Sequence, residues 1–239
     1  MNGGLYVPLR VVTWNLGNAR LGDVRVKAHA WTMQEASDKD EFLKDMCDEF
    51  DLKMIRGRKS GQPATPMLYD PKRLHLEEKI EHMLAHAQTL DPGTGPEHMK
   101  TKWLQGGYFT DIETGRKIAI CSLHCPPGQT DNNVRDRVAT AMAQNAVGYM
   151  RQYRGIRVIG ADWNAEMDTD SLAPMRRAGY HCDQLVGKRM PTHDGWCPDG
   201  IWWYNDDRVR FMGHTTNPTH SDHDQDVVDL NILKRANLR

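Results

Sequence analysis

The apolar residues of this 239-residue chain come in short runs spread evenly from end to end. None approaches the roughly 18 residues of a membrane-crossing helix. "RVVTWNL" (10–16), "AHAWTMQ" (28–34), "IRVIGADWN" (156–164), "GIWWYN" (200–205) and "VVDLNIL" (227–233) are rich in β-branched or aromatic residues and too short for buried helices. Each predicts a strand. Residues 106–124 predict a hairpin turning at Thr114-Gly115. "TPMLYDPKRLHLEE" predicts strand, Asp-Pro turn and strand, although Ile80, Met83 and Leu84 could equally begin a helix. Helical spacing is confined to 41–50 and to 132–153, where Val134, Val138, Met142, Val147 and Met150 share one face behind an asparagine cap. "LDPGTGPEH" (90–98) predicts a mobile surface loop. Strands thus dominate, with few helices between them, which predicts a mixed α/β domain containing at least one largely antiparallel sheet.

No repeat, low-complexity tract or linker divides the chain, so residues 1–239 are expected to form one domain. A globule of this length buries roughly 70–75% of its unfolded surface and needs no staples. The five cysteines are odd in number and include no CxxC pair, which argues against a zinc ribbon or disulfide framework and for a reducing compartment. The N-terminal "MNGGLYVPLR" lacks the apolar stretch of a signal peptide, so a soluble, intracellular protein with no membrane partner is expected. Net charge is −1, so no global positive field advertises nucleic acid, and any grip on a polyanion must be local or metal-mediated.

Chemistry-bearing residues recur where the chain leaves its apolar strands. Asn15 ends the first strand and Glu35 follows the second; His124 ends the hairpin's return strand. Asp162 and Asn164 share one face of their strand, because alternation sends Trp163 the other way. Asp199 precedes "GIWW", and Asp222 and His223 precede the final strand. Singly, a strand-terminal Asp or Asn is more often a turn residue, and a lone histidine a satisfied core group. If the strands are sheet neighbours, however, all eight converge on one rim, where open α/β folds place ligands.

In this order the chain resembles the endonuclease/exonuclease/phosphatase superfamily. "TWNL" (13–16) looks like its first motif, Gln34-Glu35 its second, and "SLHCPP" the strand that carries its leaving-group histidine. "GADWN" (160–164) is similar to its Gly-Asp-Phe-Asn motif, with Ala161 inserted and tryptophan for phenylalanine; "PDGIWW" looks like its Asp-x-Ile strand and "SDH" (221–223) like its closing motif. Each motif is weak alone, but the ordered set spans nearly the whole chain. The resemblance implies a four-layer α/β sandwich, two mainly antiparallel sheets packed face to face and flanked by helices. It also implies a phosphodiesterase that uses Mg²⁺ or Mn²⁺ and water, with a DNA nuclease the leading form. The alternatives are a phosphatase acting on a small phosphate ester and a catalytically dead binder; the latter would have lost the glutamate, the Asp-x-Asn pair or the terminal histidine. Carried over residue by residue, Glu35, Asn15 and Asp222 would hold the metal, and Asp162 with Asn164 would orient and deprotonate the attacking water. His223, oriented by Asp199, would contact the phosphate, and His124 would serve the leaving oxygen. Lys102 sits where relatives often carry a basic phosphate contact.

Three departures qualify the resemblance. Ala36-Ser37 replaces the basic residue that follows the glutamate in abasic-site enzymes. The interval from Asn15 to Glu35 is short for the helix relatives place there. The stretch "RGRKSGQPATPML" offers no carboxylate to partner His124. Alternation turns Cys121 and Cys125 away from His124 and lets at most one of Trp202 and Trp203 face a ligand. Arg56, Arg58 and Lys59 suggest a solvated basic turn. His220, Asp224 and Asp226 are expected at the rim or in solvent, and Asp229 has no evident role. Substrate choice is expected to lie in loops 56–66, 88–101 and 186–198.

Overall fold

The computed structural model describes residues 5–57, 65–90, 97–126, 132–204 and 207–235, with the side chains at 90, 97 and 132–135 outside that description. The first sheet is built from β1 (Tyr6–Asn15), β2 (Ala30–Gln34), β3 (Lys53–Ile55), β4 (Met67–Tyr69), β13 (Val209–Asn217) and β14 (Gln225–Leu233), in the order β13-β14-β1-β2-β4-β3. The second holds β5 (Leu74–Ala85), β8 (Lys102–Asp111), β9 (Arg116–His124), β10 (Ile156–Asp162), β11 (Tyr180–Cys182) and β12 (Asp199–Tyr204), in the order β11-β12-β10-β9-β8-β5. Each sheet has one parallel pair at its centre, β1 with β2 and β9 with β10, and is otherwise antiparallel. A small hairpin, β6 (Gln88–Leu90) with β7 (Glu97–Met99), flanks the stretch expected to be a mobile loop, whose centre lies outside the described residues.

Alternation along these strands produces the layers. Leu9 and Val11 of β1, Ile118 and Ile120 of β9, Ile156 and Val158 of β10, and Val228 and Leu230 of β14 form the core between the sheets. The opposite face of the first sheet, with Val12, Trp14 and Met33, is covered by α1 (Asp40–Phe50) through Leu43 and Met46. The opposite face of the second, with Cys121, Ile159, Trp163 and Trp202, is covered by α2 (Asn132–Met150) and α3 (Ala173–Arg177). Four layers result, as the sequence resemblance implied. Both tryptophans of "GIWW" are buried: Trp202 lies under the helices and Trp203 between the sheets. Cys121 and Cys125 belong to the helix-covered core, on the face opposite His124.

The segment that could have begun a helix at Ile80 continues as β5 through two register shifts. Ile80 and Leu84 are buried four residues apart, a spacing that period 2 and period 3.6 share, so the pattern alone could not separate them. Between Asn15 and Glu35 the only helix among the described residues is one 3₁₀ turn at Leu21–Asp23. Arg56 pairs with Asp40 at 2.7 Å, while Arg58 and Lys59 lie outside the described residues. Asp229 takes a two-pronged bond from Arg10, at 2.7 and 2.8 Å, on the outer face of the first sheet.

Candidate active site

Along each inward-facing row, polarity rises toward one rim. On β1 the row runs Leu9, Val11, Thr13, Asn15; on β2 Ala30, Thr32, Gln34; on β9 Ile118, Ile120, Ser122, His124; and on β10 Ile156, Val158, Gly160, Asp162. The antiparallel partners β12 and β14 present Asp199 and Asp226 at the same end, because Asp162 pairs with Asp199 and Thr13 with Asp226. A middle tier of small hydroxyls and an amide connects core to rim: Gln34 Nε2 donates to Ser122 Oγ at 3.1 Å across the sheets, and Ser122 Oγ donates to the Met33 carbonyl at 2.9 Å. Gly160 lies in this tier because the sheets approach closely there. A Cβ on it would stand 2.0 Å from Thr32 Oγ1 of the facing sheet.

Asp162 is the centre of the rim and only 1% exposed. Its Oδ1 accepts the Asn164 backbone N–H at 2.8 Å, and its Oδ2 accepts the Asn15 amide at 2.9 Å. His124 Nε2 lies 3.3 Å from Oδ2, 3.2 Å from the Asn164 amide nitrogen and 3.9 Å from Glu35 Oε1. A hydrogen on Nε2 serves Asp162, and the Asn164 amide is then left to the Cys125 carbonyl at 3.0 Å. The carboxylate that the sequence could not find for His124 is therefore Asp162, reached from the neighbouring parallel strand. Burial alone would raise the Asp162 carboxyl. The His124 hydrogen bond, the charges of His124 and His223 and the Asn15 amide outweigh it and hold the group below the usual carboxylate range.

The second pair is His223 Nδ1 with Asp199 Oδ2, at 2.7 Å. Asp199 is fully buried, and burial together with the Asp162 charge pushes its carboxyl up. Burial would lower His223, but the bond to Asp199 and the charges of Asp199, Asp162 and Asp222 drive it up to about 9. The histidine is held from three sides: its N–H donates to Ser221 Oγ at 3.3 Å, and its carbonyl accepts Thr219 Oγ1 at 2.9 Å and Trp14 Nε1 at 3.3 Å. Ligand atoms of Asp162, Asp199 and His223 lie within 4.8 Å of one another, which joins the two pairs into one cluster.

All eight rim residues expected from the sequence meet in this network. Lys102 opens β8 at the same end of the sheet, and its charge opposes the burial that raises the Cys125 thiol. Asn15 does more than the ligand role implies: its amide holds Asp162 while its Oδ1 accepts the Gly17 N–H at 3.2 Å. Sequence reasoning missed His193. Its ring stacks on His223 with centroids 4.5 Å apart, and its Nδ1 lies 2.8 Å from the Asp222 carbonyl oxygen. It belongs to the 186–198 loop, and no strand pattern could have flagged it. Asp226 corrects part of another expectation: it lies toward this end of β14 but is fully buried, not in solvent.

Glu35 and Asn164 hold positive φ values of 52° and 50°. Such backbone costs roughly 1–3 kcal/mol for a non-glycine residue and concentrates at functional sites. The turn aims Glu35, 49% exposed at the side chain, into the open rim. Asp222 is exposed too, and its Oδ1 lies against Gly17, where a Cβ would stand only 2.5 Å away. Glu35, Asp222 and the Asn15 side-chain carbonyl offer hard oxygen atoms, the donor type Mg²⁺ or Mn²⁺ takes. The tightest ligand groups at this rim, Asp162–Asp199–His223 and His193–Asp222–His223, do not include Glu35.

The fold defined by these two sheets is the one seen in solved structures named as endonuclease/exonuclease/phosphatase family proteins. An endonuclease/exonuclease/phosphatase family protein from Bacteroides thetaiotaomicron superposes with a TM-score of 0.73 at 16% identity, over 95% of this chain and 99% of that one. A mannosyl-6-phosphatase from Bacteroides thetaiotaomicron gives 0.69 at 16% identity, over 93% of this chain and 99% of that one. TDP2 from D. rerio, complexed with a single-strand DNA product, gives 0.66 at 14% identity, over 94% of this chain and 99% of that one. No family model and no curated protein matches the sequence. Among the described residues, no helix is long and apolar enough to cross a membrane.

Proposed function

We propose that the chain is a divalent-metal-dependent phosphoester hydrolase, a phosphodiesterase acting on nucleic acid, with DNA as the first substrate to test. The observation that carries this reading is the joined cluster at the rim: a buried Asp162 clamped by Asn15, Asn164 and His124, beside a His223 held by Asp199. Hydrolysis of a phosphodiester needs a water aimed at phosphorus, relief of charge on the phosphoryl oxygens and help for the departing oxygen.

Each need has a residue suited to it. Asp162 stays ionised, so its oxygens accept hydrogen bonds from the attacking water and take its proton as the bond to phosphorus forms. His223 uses Nδ1 on Asp199, which leaves Nε2–H as a charged donor to a phosphoryl oxygen. His124, between Asp162 and Glu35, would donate to the leaving oxygen. Glu35, Asp222 and the Asn15 carbonyl oxygen would hold Mg²⁺ or Mn²⁺, which when bound polarises the phosphoryl group. The residues whose loss would mark a dead binder are all present, which supports an enzyme.

A second reading keeps the site and exchanges the substrate for a small phosphate ester. A net charge of −1 favours it, because polyanion binders usually carry basic grooves, and one structural neighbour is named as a sugar phosphatase. The discriminating experiment incubates the protein with Mg²⁺ or Mn²⁺. It compares plasmid nicking, degradation of linear DNA and RNA, and phosphate release from a panel of sugar and nucleoside phosphates. Nicking or degradation supports the first reading; phosphate release without it supports the second. Inactivity on every substrate with either metal would reject both.

A further inference from the structure

Beside the rim, between β13, β14 and α4 (Asp183–Val186), the space between the sheets holds a second group of ionisable side chains that the proposed reaction does not use. Asp226 is fully buried, and neither of its carboxylate oxygens has a hydrogen-bond partner among the described residues. Asp183 is also fully buried; its Oδ1 accepts the Ile201 N–H at 2.8 Å and the Cys182 thiol at 3.2 Å, while Oδ2 has no partner. His214 reaches the same place from the edge strand. Thr216 pairs with Asp226 and His214 with Val228, so His214 faces the inter-sheet space as those residues do. Both of its ring nitrogens are sealed from solvent and unpartnered. One ligand atom from each of the three lies within 4.8 Å of the others.

Two carboxylates this close, out of water, cannot both keep their charge uncompensated. Three remedies exist, and they leave different residues unsatisfied. A proton shared by the two aspartates makes one bond and leaves both nitrogens of His214 orphaned. A protonated His214 would pair directly with a carboxylate, yet no such ion pair forms. A divalent cation cancels both charges and gives one imidazole nitrogen and both carboxylates a partner at once. An imidazole nitrogen beside two carboxylate oxygens, all sealed from solvent, suits a borderline transition ion, whereas Mg²⁺ and Ca²⁺ prefer all-oxygen, partly hydrated shells. We propose that Asp183, His214 and Asp226 form a second, buried site for a divalent transition-metal ion, Zn²⁺ foremost, which ties β13 and β14 to α4. The rim reaction is not a premise of this site.

The test separates the buried site from the rim by working in a His223→Gln background, which removes the residue common to both of the tight rim ligand groups. The protein is loaded with Zn²⁺, dialysed against a weak chelator, and assayed for metal by mass spectrometry and for its melting temperature with and without Zn²⁺. About one tightly held equivalent, and a Zn²⁺-dependent rise in melting temperature, is the expected result for a closed three-ligand site. Adding Asp226→Asn, which keeps the shape and removes one charge, should abolish both signals. His214→Gln should do the same and decides the matter if the asparagine variant fails to fold. No retained zinc in the His223→Gln protein would overturn the proposal. So would retention unchanged by either second substitution, which would place the ion elsewhere and leave the aspartates to share a proton.

Discussion

His223 shows how much a single residue's surroundings can decide. Its proton affinity is lifted to about 9 by Asp199, with Asp162 and Asp222 adding to the pull. When the ring loses a proton, the remaining hydrogen stays on Nδ1, facing the Asp199 carboxylate. Nε2 then turns from donor to acceptor and repels a phosphoryl oxygen. Activity should therefore fall as pH rises through about 9. Asp199→Asn removes the anion that holds the proton, so the alkaline limb should move down toward the free histidine value of ~6.5. A pH–rate profile of both proteins checks this, and an unmoved limb would remove Asp199 from its orienting role. The same pair contributes to stability. A histidine with a raised folded-state pKa stabilises the fold fully below ~6.5. That contribution is lost as pH climbs through about 9.

His193 and Asp226 mark the limits of legibility at this scale. A residue that stacks on the site from a loop carries no periodic signal, and a buried aspartate at the first turn of a strand reads like any polar residue next to a turn. By contrast, the eight rim residues were legible because strand alternation fixes which side chains share a face, and an ordered set of motifs fixes which strands matter.

Among the elements, β1, β2, β8, β9, β10, β12, β14 and both long helices followed from pattern, while β5 was open between strand and helix and β13 went unread. The misses have local causes. β13 carries a bulge between Phe211 and Gly213 and is half-exposed, so its alternation is broken and its apolar content thin. α3 and α4 span five and four residues, fewer than two helical turns, and give no periodicity to read. The end of the β5–β8 ladder is tied by a buried ion pair that no sequence pattern announces. Arg73 donates to Asp111 at 2.6 and 3.1 Å, with the two side chains 4% and 0% exposed, and Thr114 Oγ1 donates to the same carboxylate at 2.6 Å. Removing Asp111 leaves the buried Arg73 with only the exposed Glu113, at 2.9 Å, as an anionic partner, at a cost of up to about 3–5 kcal/mol. Asp111→Ala should lower the melting temperature by on the order of 10 °C in a chain of this size. Arg10–Asp229, half-exposed, should show far less when cut, within about 1 kcal/mol. Equal losses for the two pairs in thermal or urea melts would contradict this ranking.

At the scale of the whole molecule, two facing sheets share a gradient from an aliphatic floor through a tier of Thr, Ser and Gln to a rim of Asp, Asn and His. The gradient explains why stability and site are separable along the same strands. It also explains Gly160 of the "GADWN" motif, where the sheets come too close for a Cβ. Gly160→Val should spread the sheets beneath the rim and depress stability and activity together, read by melting temperature and turnover on one preparation. A variant that melts normally and turns over normally would show that the close approach is dispensable.

The central claim is that Asp162 organises phosphoester hydrolysis at this rim. Its most direct test is the rate of phosphoester cleavage by Asp162→Asn, with Mg²⁺ or Mn²⁺ present and on whichever substrate the wild-type protein cleaves. Asparagine keeps the shape and the Asn15-facing contact but cannot accept a proton. The expected result is a folded protein slowed by at least ~10²-fold, the lower end for a positioned acid–base group. A folded Asp162→Asn protein with wild-type turnover would contradict the account.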